Sequence, residues 1–208
     1  MKTKINFLIG TAFAITSIAQ ADLVIEQTIE NSTQPTSKMT LKVKGNKIRT
    51  DLGNTTTSIV NIETMENITL MHPTKMVIKT DPAQIKTAAE TTVADPDIKA
   101  IDNGKTEEVN GYKCAIWTIE HSGTKMTFWA TNDFPDYAEF KEEYEKLTTI
   151  PDAPNPTGGI DGLVIKTQME TAGTTSTITI NSIKKTPVDD SEFEISIPAG
   201  YQEINLPK

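Results

Sequence analysis

The sequence is short of the residue types that most often carry chemistry. Its 208 residues include one cysteine, Cys114, two histidines and one arginine, Arg49. A single cysteine cannot close an internal disulfide, and two histidines far apart in the sequence are poor material for a zinc site. One arginine and a formal charge of −8 disfavour nucleic-acid binding, because phosphate is recognised mainly by clustered or forked cations. We therefore predict no metal, no cofactor and no nucleic-acid partner.

Long apolar runs are also scarce. One extends from Ile5 to Ile18, behind two lysines and ahead of an Ala-Gln-Ala pattern that ends at Ala21. A bilayer crossing needs about 20 apolar residues, so this run is too short for a membrane helix and is typical of a bacterial signal peptide over residues 1–21. We expect cleavage after Ala21 and a mature chain of charge −10 that begins at Asp22. The product should be periplasmic or secreted, and not an integral membrane protein.

The main pattern after the leader is an alternation of apolar and polar residues with a period of two. Leu23, Ile25 and Ile29 alternate in this way with charged or polar neighbours, as expected of a strand with one covered face. Further strands are predicted in residues 38–44, 47–52, 58–63, 67–71, 75–80, 112–120, 125–131, 163–170, 177–181 and 193–197. Turn residues in the short connections favour antiparallel hairpins. The pattern predicts one mainly β (α+β) domain over residues 22–208.

Two short helices are predicted to interrupt the strands. The first covers residues 81–89, and the second begins near Asp136. The second helix places four apolar residues on one face, at spacings of three, four and three: Tyr137, Phe140, Tyr144 and Leu147. That face must lie on the sheet. Residues 91–105 are predicted to form a loop or a single helical turn, and the Pro/Gly-rich segment from Thr149 to Gly162 a flap or long connection.

Cys114 lies on a predicted strand whose two faces are both rather apolar. It alternates with Tyr112 and Ile116, so we interpret it as a small buried hydrophobic residue. A catalytic thiolate would need a nearby base, but His72 and His121 both lie beside turns and nothing in the sequence brings either to Cys114. We therefore assign no catalytic residue and expect no enzyme. The alternative is a partly exposed thiol that dimerises the protein.

Aromatic residues are concentrated in the hairpin that holds Cys114. Trp117 and Trp129 lie on its two strands, together with Tyr112 and Phe128. Aromatic pairs on neighbouring strands are usually core, but a curved sheet with a helix across its concave side can also leave an apolar hollow that binds a ligand. If there is such a hollow, its predicted ligand-binding residues are Tyr112, Trp117, Phe128, Trp129, Tyr137, Phe140 and Tyr144.

Several segments of the chain together resemble a known family. They are "GYKC" before one strand, "FWAT" on its partner, the aromatic helix near Tyr137, and the ending "FEISIPAGYQEI". These are similar to the uncharacterised exported bacterial family called domain of unknown function 4412, related to the LolA-like lipoprotein carriers. The resemblance covers most of Asp22 to Ile204. It implies a curved antiparallel sheet or incomplete β-barrel with one or two helices across its concave face, and it carries over no catalytic residue.

These observations lead to two hypotheses about function. The first is a soluble periplasmic binding or carrier protein with an apolar cavity for lipid or acyl ligands. It is suggested by a hairpin that is apolar on both faces and that is expected to face an aromatic helix. The second is a non-catalytic structural or interaction module of the cell envelope whose hollow is filled by its own side chains. The sequence identifies no protein partner. A cavity beside the hairpin would distinguish the first hypothesis from the second.

Overall fold

In the computed structural model of the chain, residues 22–80, 98–148, 157–194 and 197–204 are described. The predicted leader, the predicted helix over 81–89 and most of the Pro/Gly-rich segment lie outside the described residues. The strands are β1 (Leu23–Asn31), β2 (Gln34–Lys44), β3 (Lys47–Leu52), β4 (Thr56–Asn61), β5 (Glu66–Met71), β6 (Met76–Thr80), β7 (Ile101–Val109), β8 (Tyr112–His121), β9 (Thr124–Thr131), β10 (Leu163–Thr171), β11 (Thr174–Lys185) and β12 (Gln202–Ile204). They are joined by helix α1 (Tyr137–Thr148) and a 3-10 helix (Asp190–Phe193).

The strands form a single open sheet with the order β12-β6-β5-β4-β3-β2-β1-β11-β10-β9-β8-β7. Neighbouring strands pair antiparallel, apart from the parallel pair of β12 with β6. Tight turns explain most of this order, because a short turn between consecutive strands forces them to pair antiparallel. The predicted mainly β fold, an antiparallel sheet with a helix packed on it, is confirmed.

The core lies between this sheet and helix α1. Most of its buried side chains come from the strands in the middle of the sheet, and Phe140 contributes the buried ring of the helix. The cluster consists of Leu23, Ile25, Val43, Val109, Cys114, Trp129, Phe140, Leu163, Ile165 and Ile180. Alternate residues of β1 and β10 enter it, as the period-two pattern predicts. Burying them is the main term that stabilises the sheet.

Two predicted segments are wrong in the structure. Residues 91–105 were expected to be a loop or helical turn, but Ile101 to Lys105 belong to strand β7. This strand is an exposed edge with a register shift between Asp102 and Thr106, and Gly104 there has a φ of 69°. Because almost every β7 side chain faces solvent, the segment shows no apolar alternation from which a strand could be recognised.

The predicted strand over 193–197 is also wrong where it is described. Phe193 ends the 3-10 helix, which is capped by the Asp189 carboxylate accepting the Ser191 N–H at 2.9 Å. Phe193 is buried, whereas Ile197 is 40% exposed, so the two side chains do not share a covered strand face. The polar residues around Phe193 favour a capped turn over a strand because their side chains satisfy the main-chain donors locally.

Candidate functional site

Helix α1 is held on the sheet through aromatic contacts at its first turns. The ring of Phe134 lies 5.2 Å from that of Tyr112 and 6.1 Å from that of Phe140, measured between centroids. Tyr137 packs edge to face on Phe140 at 5.7 Å. Edge-to-face arrangements of this kind add to the stabilisation from burial itself. The predicted apolar face of the helix is therefore in contact with the sheet, although the Leu147 side chain lies outside the described residues.

A first hollow lies beside the start of the helix, and we call it the N-terminal hollow. Its volume is about 290 Å³. It is lined by Tyr112, Phe134, Pro135, Asp136, Glu139, Phe140 and residues 181–185. Aromatic rings and Ile183 form its apolar part, while Lys185 pairs with Glu139 at 3.4 Å on its rim. An apolar floor with a polar rim is the usual make-up of a small-molecule site.

A second hollow, the C-terminal hollow, lies beside Tyr144 and has a volume of about 140 Å³. It is lined by Gln27, Phe128, Tyr144, Thr157, Val164, Ile165, Lys166, Thr167, Ile178 and Ile180. The Tyr144 hydroxyl donates a hydrogen bond to the Val164 carbonyl at 3.2 Å, which fixes the ring at the wall. Burial raises the pKa of Tyr144, so the hydroxyl stays protonated and keeps this bond at neutral pH.

The two tryptophans of the hairpin do not line a common surface. Trp117 lies opposite Phe128 across β8 and β9, and Ile116 lies opposite Trp129. Successive residues of a strand point to opposite faces, so the two indole rings lie on opposite sides of the hairpin. The Nε1 of Trp117 is buried without a hydrogen-bond partner among the described residues.

Trp129 is fixed in place by two charged residues. Its Nε1 donates to the Glu107 carboxylate at 2.9 Å, and the Lys166 ammonium lies 4.1 Å from the centre of its ring. Lys166 also pairs with Glu107 at 3.7 Å. A cation over an indole face and a carboxylate at its N–H both stabilise the ring, so this tryptophan has the contacts of a structural residue.

The seven predicted ligand-binding residues are thus brought together in part. Tyr112 and Phe140 line the N-terminal hollow, and Phe128 and Tyr144 line the C-terminal hollow. Tyr137 and Trp129 belong to the cluster around the core, and Trp117 lies across the strand pair from Phe128. Gln27 lines the C-terminal hollow but was not predicted to do so, because the period-two pattern of β1 does not mark this polar residue as part of a cavity.

Cys114 is fully buried in the core cluster. Its Sγ donates to the Tyr112 carbonyl at 3.4 Å. Burial raises the pKa of the thiol, which favours the protonated form and lowers its nucleophilicity. The structure therefore supports the interpretation of Cys114 as a packed core residue.

We expect Cys114→Ala to lower the free energy of unfolding by about 1 kcal/mol, because only a small buried side chain is removed. Cys114→Ser should cost more, about 2 kcal/mol, since its hydroxyl is more expensive to bury than the thiol. Urea unfolding measures both values. The wild-type thiol should also resist a maleimide until the protein is unfolded. Rapid labelling of the folded protein, or serine milder than alanine, would contradict the packed-core assignment.

The single arginine, Arg49, and His72 both belong to one polar network on the sheet. Arg49 forms a two-bond ion pair with Asp51, with donor–acceptor distances of 2.7 and 2.9 Å. Thr57 donates to Asp51 at 2.7 Å and lies 3.0 Å from the His72 Nε2, whose Nδ1 is 2.6 Å from the Tyr201 hydroxyl. Burial raises the pKa of Asp51, but bonds from Arg49 and Thr57 outweigh it and hold the pKa below its usual value. His72 therefore fastens Tyr201 to the sheet.

Neither a metal-ligand cluster nor a membrane-spanning helix is present in the part of the chain that is described. There, no three histidine, cysteine or carboxylate side chains are grouped so that they could hold a metal ion. None of the helices in the same ranges has the length and apolar character needed to cross a bilayer. A third hollow, of about 440 Å³, lies at the β8–β9 turn and is lined by Glu120 to Lys125. The two hollows beside α1 differ from it in having aromatic and aliphatic side chains in their lining.

Comparison with known proteins places the chain in a family. The family model described as Domain of unknown function (DUF4412) matches residues 22–201. No curated protein matches the chain.

Several solved structures are distantly similar to the chain. PNGF-II is 14% identical with a TM-score of 0.44 over 89% of this chain, which spans only 31% of PNGF-II. The LolA superfamily protein NE2245 from Nitrosomonas europaea is 10% identical, with a TM-score of 0.32 over 86% of this chain and 91% of its own. The lipoprotein LppX of Mycobacterium tuberculosis is 8% identical, with a TM-score of 0.37 over 80% and 88%. These likenesses are too distant to assign an activity.

Proposed function

We propose that this chain, which belongs to the DUF4412 family, is an exported, non-enzymatic binding or carrier protein that holds an apolar ligand between its sheet and helix α1. The family expected from the sequence is confirmed by the match over residues 22–201. That match begins at Asp22, directly after the cleavage point expected from the leader, which supports export of the mature chain.

The observation that carries the proposal is the pair of hollows that helix α1 helps to line. Phe140 lines the N-terminal hollow, and Tyr144 lines the C-terminal hollow. Ligand sites typically enclose about 300 Å³ or more, and the N-terminal hollow, at about 290 Å³, lies just below this lower limit. The C-terminal hollow is smaller, at about 140 Å³, and its apolar lining comes from Phe128, Val164, Ile165, Ile178 and Ile180. Both suit alkyl or aryl groups of an apolar molecule such as a lipid.

A chain-length series of alkan-1-ols tests this proposal. Each methylene buried in an apolar hollow contributes about 0.8 kcal/mol, so affinity should rise about fourfold per carbon until the hollow is full. Isothermal titration calorimetry should also give a negative heat-capacity change, the mark of apolar burial. Saturable binding that strengthens from butan-1-ol to octan-1-ol is the expected result.

A cavity-filling variant locates the binding. Thr167 lines the C-terminal hollow, so Thr167→Trp should occupy it and weaken octan-1-ol binding at least tenfold. Thr171→Trp is the matched control, because Thr171 lies exposed on the same strand beyond the hollow. If no alcohol binds wild type saturably, or if both variants bind like wild type, the carrier proposal is wrong for this hollow.

The second candidate is a structural or interaction module whose space under the helix is filled by its own side chains. The close packing of Phe134, Tyr137 and Phe140 favours it, since the Phe140 ring contacts the other two and Phe134 also contacts Tyr112 of the sheet. Such a module would bind none of the alcohols saturably. Its free energy of unfolding would be the same with and without alcohol. The same titration therefore separates the two candidates.

A further inference from the structure

The N-terminal hollow combines aromatic side chains with carboxylates. Tyr112 and Phe134 line it and are only partly buried, and their ring planes are inclined by 38° with 5.2 Å between the centroids. Phe140 is 3% exposed, and its ring stands at 87° to that of Phe134. The accessible aromatic surface of the hollow therefore belongs mainly to Tyr112 and Phe134.

The two lysines that line the hollow do not make it positive. Ile183 of β11 lies opposite Ile25, which is fully buried in the core. Opposite residues share a face and successive residues alternate, so Ile183 points to the core side of the sheet and Lys184 to the other side. Lys185 is on the core side, but it pairs with Glu139 at 3.4 Å. Neither lysine thus leaves an unbalanced positive charge in the hollow.

Asp136 is the carboxylate of the hollow whose charge is not balanced. It lines the hollow, and its side chain has no hydrogen-bond or ion-pair partner among the described residues. Helix ends of this kind usually attract anions, but the N–H groups of Tyr137 and Glu139 already donate to the Phe134 and Asp136 carbonyls, at 3.3 and 2.9 Å. The hollow thus has a free negative charge beside two aromatic rings.

A quaternary ammonium group matches this combination. Its positive charge is attracted both by the face of an aromatic ring and by a carboxylate, and its methyl groups form an apolar surface that needs no hydrogen bond. An anionic head group would be repelled by Asp136, and a neutral alkyl group would gain nothing from the carboxylate. The charge of −8 on the whole chain also raises the concentration of cations near its surface.

We propose that the N-terminal hollow binds the quaternary ammonium head group of an amphiphile. Tyr112 and Phe134 contact its methyl groups, and Asp136 balances its charge. The inference rests on the proposed function, because it names the head group of a ligand that is held beside helix α1.

Choline and 3,3-dimethylbutan-1-ol test the role of the charge. The two molecules have the same shape and differ in a central nitrogen or carbon, so only choline is a cation. Ring and carboxylate together should make wild type bind choline about fivefold more tightly than its neutral analogue. An NMR titration of the ¹⁵N-labelled protein gives both constants and shows which amides respond. Equal binding of the two molecules, or binding of neither, would overturn the inference.

Three variants test whether this hollow is the site. Asp136→Asn removes only the charge, since asparagine also tolerates the φ of 57° at this position, and it should lower the ratio to about twofold. Asp133→Asn is the matched control, because Asp133 is exposed in the same connection and lines neither hollow, and it should keep the wild-type ratio. Phe134→Leu should weaken choline binding more than binding of the neutral analogue. A ratio unchanged in both Asp136→Asn and Phe134→Leu would overturn the assignment to this hollow.

Two further probes distinguish an amphiphile from a free solute. Buried methylenes add affinity, so octyltrimethylammonium should bind at least about tenfold more tightly than tetramethylammonium. Equal affinities would mean that the hollow takes up small solutes and would overturn the amphiphile. If octan-1-ol binds saturably and choline does not, the inference is wrong and the carrier proposal stands. If octan-1-ol does not bind either, both are wrong.

Discussion

Gly162→Ala should lower the free energy of unfolding by about 3 kcal/mol or more, a large effect for the addition of one methyl group. Gly162 has a φ of 95°, a conformation that residues with a side chain rarely adopt. A Cβ there would lie 2.7 Å from the Thr131 carbonyl oxygen and 2.8 Å from its carbon, both main-chain atoms that cannot move independently of β9. The strand β10 begins at the next residue, so the strain falls directly on its pairing with β9.

Gly159→Ala is the control for this substitution. Gly159 lies three residues earlier in the same connection, has no positive φ, and has open space where a Cβ would go. Alanine there should change stability by no more than about 0.5 kcal/mol, with a bias towards stabilisation because it restricts the unfolded chain. Urea unfolding of the two variants side by side isolates the local geometry. Equal midpoints would show that the approach of Gly162 to Thr131 is not rigid.

Most of the sheet could be predicted because its strands obey the period-two rule and its turns have the right chemistry. The β8–β9 hairpin shows this well: Gly123 has a φ of 78° and Ser122 a φ of 47°, as a tight two-residue turn requires. β7 escaped prediction because it is an edge strand with solvent on nearly every side chain. Alternation reports a covered face, so it carries no signal where neither face is covered.

The faces on which side chains lie were harder to predict than the strands. A shift of one residue in the register moves every side chain to the other face. Trp117 and Trp129 were expected to line one cavity, but the turn of the hairpin pairs Trp117 with Phe128, and that places the tryptophans on opposite faces. The register shift beside Gln27 adds a second change of direction that has no signature in the local sequence. The candidate site was therefore predicted residue by residue only in part.

The long-range polar contacts could not be predicted from the sequence. The network from Arg49 through Asp51, Thr57 and His72 to Tyr201 joins residues up to 152 positions apart. Each member is an ordinary polar residue of a strand or turn when it is read alone. Its role arises only when the C-terminal segment returns to the sheet and pairs β12 with β6. A single histidine beside a turn gave no reason to expect this arrangement.

Phe140→Ala should have the largest effect of the substitutions considered, a loss of about 3 to 5 kcal/mol in the free energy of unfolding. Phe140 is 3% exposed and joins helix α1 to the core, with Phe134 and Tyr137 packed on its ring. Alanine removes both the buried area and the ring contacts, and it leaves a cavity that the aromatic neighbours can fill only in part.

Two matched variants make that result specific. Glu142→Ala, on the exposed side of the same helix, should stay within about 0.5 kcal/mol of wild type, and Phe140→Leu should cost less than alanine because it refills part of the cavity. Near-ultraviolet circular dichroism reports the aromatic cluster while urea unfolding reports stability. A loss below about 1 kcal/mol for Phe140→Ala would mean that the helix is not docked through this ring. In that case the two hollows would lose their shared wall, because Phe140 and Tyr144 are held against the sheet by the same face of one helix.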